Sequence, residues 1–382
     1  MSEVVAADEV TPLDPIDEES TLADTPLKKI FAAAVKHEAS DLIARSGLVP
    51  RLRIRGELKA LSMEAPSHED FEHWIEQGLS KRQWSHYATH GSIDLAMEIE
   101  ASGSLRRFRV NVFRTKGQSS LAARLISDHI LDFEELFLPS HCRQIAEVTQ
   151  GLVLLCGITG SGKSTTIASM INHVNKIRPC HILTIEDPIE YVFKEDKAVV
   201  NQREIGIDVP TYEVALKALV RENPDVVLIG EMRDRVTFEA ALQAAETGHL
   251  VFGTIHASST SQAFGRIYDL FPQDERASIR NLLAFQLQAF IYQKLLPTIR
   301  EDVSRVPAVE ILLQSPPTRK YILEGRETEL DSVIKDARNA GMQTFTDSLV
   351  DLVEKNLIHP RTAQAAAPSP EEVKMRLRGI SS

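Results

Sequence analysis

Residues 157–164 read Gly157-Ile158-Thr159-Gly160-Ser161-Gly162-Lys163-Ser164, followed by Thr165, and match G-x-x-x-x-G-K-[ST] at every required position. The chemistry of that spacing is phosphate binding. Only glycines let the backbone wrap closely round phosphate oxygens with its N–H groups pointing inward. Lys163 brings a positive charge to the β- and γ-phosphates, and the Ser164 hydroxyl is placed to ligate Mg²⁺. ATP and Mg²⁺ are therefore the expected substrate and cofactor. Two acidic segments follow, Glu186-Asp187-Pro188-Ile189-Glu190 and Asp225-Val226-Val227-Leu228-Ile229-Gly230-Glu231. In many phosphate-loop proteins the second strand ends in Asp-Glu. Here Gly230 stands where that Asp would be, leaving Glu231 to serve Mg²⁺ directly or through water. Phosphoryl transfer to water needs a metal clamp and one carboxylate to orient the attacking water, and two strand-end acids meet that need. His249 and His256 bracket the next apolar run and are candidate γ-phosphate sensors. Their spacing, with no Cys or carboxylate in register, does not make a metal site.

Such groups work only if a scaffold converges on them. The loop is preceded by a continuous apolar run, Gly151–Cys156, as expected for a parallel strand buried on both faces. A helix, Lys163–Val174, follows and places its positive N-terminal dipole under the phosphates. Further strands are expected at His181–Ile185, Val226–Ile229 and Leu250–Ile255, with helices between them and a largely helical stretch from Thr260 to Leu357. The fold class is α/β, with the nucleotide domain over 151–362 including its helical C-terminal part. Before it, residues 26–126 read as a small α+β domain. A helix is expected over Leu27–His37 and another near Glu69–Leu79, with strands at Ser92–Ile99 and Arg106–Arg114. Leu48, Leu52, Ile54 and Leu58 alternate as one face of a half-buried strand. Residues 127–150 form a linker with a helix near Ser140–Val148. Residues 363–382 form a tail whose Ser369-Pro370-Glu371-Glu372 starts a short helix, Pro370–Arg378.

Composition narrows the class further. At 382 residues the chain is long enough for two domains, and 43% hydrophobic with 25% charged residues excludes collagenous and mostly disordered readings. No apolar run approaches the ~20 residues needed to span a bilayer, and no basic, hydrophobic leader marks a secretory signal. Three scattered cysteines, Cys142, Cys156 and Cys180, offer neither a disulfide framework nor a four-thiolate zinc site, which fits a reducing cytoplasm. Lys plus Arg total 43 against 54 acids, a net charge of −11. Residues 1–25 hold eight of those acids and no base, and read as an acidic disordered leader. A nucleic-acid motor would need a basic or aromatic groove. Net negative charge with 6% aromatics argues against one.

The blocks ILTIEDPIEYVF, VNQREIGID, NPDVVLIGEMRD, ETGHLVFGTIHA and RIYDLFP, in that order, resemble the secretion ATPase superfamily and within it the type IV pilus retraction, or twitching-motility, ATPases. The similarity runs from about Pro26 to Ile380. It implies a homohexamer with a PAS-like N-terminal domain joined to a RecA-like P-loop NTPase motor domain. It further implies a cytoplasmic motor, peripheral at the inner face of the inner membrane. Its partner would be the inner-membrane platform protein, with a paralogous retraction ATPase as a second possible partner. Carried over by residue, Glu190 is the carboxylate that polarises the attacking water, Glu231 the acid on Mg²⁺, and His249 and His256 the family's histidine pair. Arg107, Arg109 and Arg124 match arginines of the N-terminal domain that help neutralise nucleotide phosphate. Alternating bases on a strand also suit an ordinary solvated face.

One stretch departs from the family pattern. Retraction ATPases carry a C-terminal helical motif, Ala-Ile-Arg-Asn-Leu-Ile-Arg, where this chain has Pro317-Thr318-Arg319-Lys320-Tyr321-Ile322-Leu323. The alternatives are therefore an accessory retraction ATPase, a related secretion or extension ATPase, and a regulatory ATP-binding ring with little turnover. Extension and type II secretion ATPases generally carry a four-cysteine zinc insertion, and this chain has a single cysteine beyond the phosphate loop.

Overall fold

Leu27, Ile30, Phe31, Ala34 and Val35 recur at three- and four-residue spacing and form the buried stripe of α1 (Pro26–Lys36). Thr25 caps it by accepting from the Lys28 N–H, and Pro26 fills the first turn, where a missing N–H costs nothing. The structure, a computed structural model, describes residues 25–379 apart from 55 and 102. The leader expected over 1–25 therefore lies outside the described residues except for Thr25. Two units divide between Ser127 and Asp128.

In the first unit α1 is followed by β1 (Asp41–Arg45), β2 (Leu48–Ile54), β3 (Glu57–Ala60), α2 (His68–Gly78), α3 (Lys81–His90), β4 (Ser92–Ala101), β5 (Ser104–Thr115) and β6 (Gln118–Leu125). The strands make one antiparallel sheet in the order β3-β2-β1-β6-β5-β4. Phe31 meets Phe108 edge-on at 4.8 Å, and Phe71, Ile75 and Tyr87 complete the core between helices and sheet. The alternation expected to run through Leu48–Leu58 breaks at the β2–β3 turn. Leu52 is buried, but Leu58 pairs with Arg53 and stays exposed. Reversal of the chain at Gly56 puts Leu58 on the opposite face, so a pattern counted through a hairpin turn fails by one residue.

The second unit begins within the expected linker. Phe133, Leu138, Cys142 and Ile145 are buried in its core around α4 (His141–Ala146). Next come β7 (Gly151–Cys156), α5 (Lys163–Ile177), β8 (His181–Glu186), β9 (Val199–Glu204), α6 (Tyr212–Glu222), β10 (Val226–Ile229), α7 (Arg235–Glu246), β11 (Leu250–Ile255), α8 (Thr260–Asp269) and α9 (Arg276–Gln286). The chain continues through β12 (Leu287–Pro297), β13 (Arg305–Leu313), α10 (Pro316–Leu323), α11 (Leu330–Asp336), α12 (Phe345–Glu354), α13 (Pro360–Ala366) and α14 (Pro370–Arg376). The sheet order is β13-β12-β7-β11-β10-β8-β9, parallel except for the β12–β13 pair. Every residue of β7 is buried, and each buried aliphatic side chain there contributes ~1.5–3 kcal/mol.

The hairpin β12–β13 corrects the expectation of a largely helical stretch after Thr260. Leu287, Phe290, Ile291 and Leu295 happen to fall at helical spacing. A strand buried on both faces has no alternation to contradict that reading. The short terminal helix is present as α14, with the Ser369 hydroxyl accepting from the Glu372 N–H.

Candidate active site

Parallel strands deliver their C-terminal ends to one edge of a sheet, where open α/β folds place their ligands. β7, β8, β10 and β11 are mutually parallel, with Cys156 opposite Ile255 and Ile229 opposite both Ile185 and Gly253. The phosphate loop after β7, the acids Glu186–Glu190 at the end of β8, Glu231 after β10 and His256 after β11 therefore share that edge.

The loop closes on itself and on β12. Lys163 Nζ donates to the carbonyls of Gly157 at 2.9 Å and Ile158 at 3.2 Å. Gln293 of β12, wholly buried, donates to the Ser161 carbonyl at 2.8 Å and accepts from the Thr166 hydroxyl at 2.8 Å. A Cβ at Gly157 would lie 2.4 Å from the Gln293 carbonyl, and one at Gly162 would lie 2.8 Å from Gln293 Nε2. Both positions also have positive φ, so glycine is required twice over. Ile158, Thr159 and Gly160 form the exposed lip, and Ser164 and Thr165 open α5 half-buried. Ser161 Oγ is buried with no hydrogen-bond partner. An orphaned hydroxyl, a cradle with no room for a Cβ at Gly157 or Gly162 and a lysine at a helix N-terminus together fit a polyphosphate.

The acids share the lysine's edge of the sheet. Burial lowers the Lys163 pKa, and the negative charges of Glu231 and Glu190 work against that shift. Glu231 Oε1 lies 2.9 Å from His256 Nε2, and its other oxygen accepts from Arg233. Burial pushes the Glu231 carboxyl up, but Arg233, His256 and Lys163 outweigh it and hold it below the usual carboxylate range. Glu231 is thus ionised, with one oxygen facing Arg233 and the other His256. Gly230 packs against the end of β8, where a Cβ would sit 3.3 Å from the Ile185 carbonyl. That close approach favours glycine over aspartate at this position. Glu190 is exposed, with its backbone N–H directed to Glu186 Oε2 at 3.4 Å.

Glu186 is buried and accepts from the Thr184 hydroxyl at 2.7 Å and from Gln202 Nε2 at 3.3 Å. Burial lifts its pKa from 4.5 to about 7, against the pull of those hydrogen bonds. The folded chain then holds a proton that the unfolded chain has released. Stability therefore falls as pH rises from about 4.5 to about 7 and levels off above. Glu186→Gln removes that dependence. The stability of the variant relative to wild type is expected to rise by up to ~3 kcal/mol across the window. Denaturant unfolding at pH 5 and pH 8 measures it, and a pH-independent difference would contradict the assignment.

One expected residue of the second unit lies away from this edge. His249 precedes β11 rather than following it, with Nδ1 2.9 Å from the Ala244 carbonyl and 3.1 Å from Thr247 Oγ1. Its own carbonyl accepts from the Gly151 N–H at the start of β7. Six strand residues at ~3.3 Å each put about 20 Å between it and the phosphate loop of the same chain, and its contacts are with the α7–β11 turn. Arg107, Arg109 and Arg124 lie in the first unit. Arg109 and Arg124 are register partners on β5 and β6, Arg124 Nε is 2.9 Å from Asp41, and Arg107 pairs with Glu98 at 3.1 Å. Gln293, Gln202, Arg233 and Glu186 are the site residues that sequence reasoning missed as such. Glu186 and Arg233 had a local signal, the first within the acidic segment after the phosphate loop and the second two positions after Glu231.

Fold and site together define a phosphate-loop nucleotide-binding protein with its acids on strand ends. The model of the type II/IV secretion system proteins matches residues 90–351. A twitching motility protein of Neisseria gonorrhoeae is 40% identical over 85% of this chain and 86% of its own length. The type IV pilus retraction ATPase PilT of Pseudomonas aeruginosa is 38% identical over 90% of this chain and 99% of its own. The crystal structure of the pilus retraction motor PilT with bound ADP superposes with a TM-score of 0.82 at 38% identity, covering 91% of this chain and 98% of that one. The chain belongs to the type II/IV secretion system protein family, in its branch of pilus-retraction ATPases. Among the described residues no helix is long and apolar enough to cross a membrane.

Proposed function

We propose that this chain is the ATP-hydrolysing motor of a type IV pilus retraction machine. The observation that carries the reading is the placing of Glu190, Glu231 and Lys163 at one sheet edge, beside a phosphate loop with no room for a Cβ at Gly157 or Gly162. In the reaction, Lys163 and the N-terminus of α5 hold the β- and γ-phosphates, and backbone N–H groups of residues 157–163 orient them. Glu190, exposed at the mouth, orients the attacking water and draws on its proton. Ser164 and Glu231 are the residues that would hold Mg²⁺, which neutralises charge on the phosphates when bound. Arg233 and His256 keep Glu231 ionised and aimed. The motor works as a homo-oligomer, a hexamer by resemblance, at the cytoplasmic face of the inner membrane. There it turns the platform protein, with a paralogous ATPase as a further partner. The family's retraction motif corresponds to α10, whose Arg319 lies 4.9 Å over the ring of Phe285.

The test is phosphate release by the purified full-length chain with ATP, with and without Mg²⁺. Turnover that depends on Mg²⁺ is the expected result. No measurable turnover would leave a regulatory nucleotide-binding ring instead.

A further inference from the structure

Glu190 can orient a water only if its loop is held while the phosphates are held, and a chain of hydrogen bonds connects the two. The residue after Glu190 is Tyr191, whose ring packs half-buried against the core beside α5. Its hydroxyl lies 2.8 Å from Thr165 Oγ1, in the first turn of α5 and next to Ser164. Its carbonyl accepts from Gln202 Nε2 at 2.8 Å, and the same amide nitrogen reaches Glu186 Oε1. Glu186 then accepts from the N–H of Glu190, and Gln202 Oε1 accepts from the N–H of Phe193 at 3.0 Å. Glu190 is thus clamped through its backbone on both sides. The only side-chain link in this chain of bonds that ends on the phosphate-binding helix is the Tyr191 hydroxyl. Burial raises the Tyr191 pKa, so that hydroxyl stays protonated at working pH.

We infer that Tyr191 is a positioning residue that ties the loop of Glu190 to the nucleotide-binding turn of α5 through Thr165. The inference rests on the reading of Glu190 as the water-orienting acid. A loop tethered at this point moves with the phosphate loop, so the water and the γ-phosphate keep their alignment. An untethered loop leaves binding intact but samples other positions. Proximity effects of this kind are lost steeply with misplacement of about 1 Å.

The experiment uses the full chain and compares Tyr191→Phe, Thr165→Val, the double variant and Glu190→Gln. Removing one hydrogen bond without disturbing ring packing is expected to lower kcat about five- to tenfold in Tyr191→Phe. KM for ATP should stay within about twofold, because the lost contact does not touch the nucleotide. The double variant should be no slower than Thr165→Val alone, since both changes break the same bond. A purely structural role would not move a second readout. Binding of a non-hydrolysable ATP analogue should slow amide exchange over residues 187–193 in wild type and fail to do so in Tyr191→Phe. Unchanged kcat in Tyr191→Phe, a rise in KM at constant kcat, or losses that multiply in the double variant would each overturn the inference. The control separates the two levels. Wild-type turnover in Glu190→Gln would remove the underlying reading, whereas an inactive Glu190→Gln beside a fully active Tyr191→Phe would remove only the role of the tyrosine.

Discussion

Glu190→Gln is expected to lower kcat for ATP hydrolysis by about 10²–10⁴-fold, the usual contribution of a positioned general base, while KM for ATP changes little. The split follows from geometry. Glu190 is exposed, its backbone N–H is directed to Glu186, and among the described residues its side chain makes no hydrogen bond or ion pair that the amide would break. The variant should therefore fold, bind nucleotide and stall. Steady-state kinetics with a binding measurement on the same preparation check it. An equal loss of affinity and turnover would mean that the carboxylate serves ground-state binding instead.

The second large effect falls on Lys163. Lys163→Ala removes the ammonium that faces the phosphates and is expected to cost about 10²–10³-fold in kcat, with nucleotide affinity falling as well. Its loss also leaves the carbonyls of Gly157 and Ile158 without the donor that now draws them together. The loop should then open, which separates this variant from Glu190→Gln by a raised KM. Full turnover in Lys163→Ala would remove the phosphate loop from the mechanism.

The parts of this site that were legible in sequence are those built from consecutive residues. Gly157–Thr165 declares itself because every requirement falls within nine positions, and the apolar run before it and the helix after it confirm the context. The strand-end acids were legible for the same reason. Gln293 was not, because it reaches the loop from β12, more than a hundred residues away in sequence and hidden in an apolar run that suited a helix equally well. Gln202 was invisible until β9 paired with β8 and brought it beside Glu186. The histidines show a different failure. Spacing placed His249 and His256 at the two ends of one strand, but only strand direction says which end faces the nucleotide. The parallel pairing of β11 with β7 puts His256 at the edge that carries the phosphate loop. In the first unit, a period-two count carried across the turn at Gly56 put Leu58 on the wrong face.

The central claim is that hydrolysis through Glu190 drives retraction. Its most direct test is a count of surface pili, with twitching assayed alongside, in cells whose only copy carries Glu190→Gln. More pili than wild type with motility lost is the predicted result, because extension continues while removal stops. An unchanged count would make this chain an accessory to another motor. Fewer pili or none would contradict the claim, since the energy of hydrolysis would then be going into assembly.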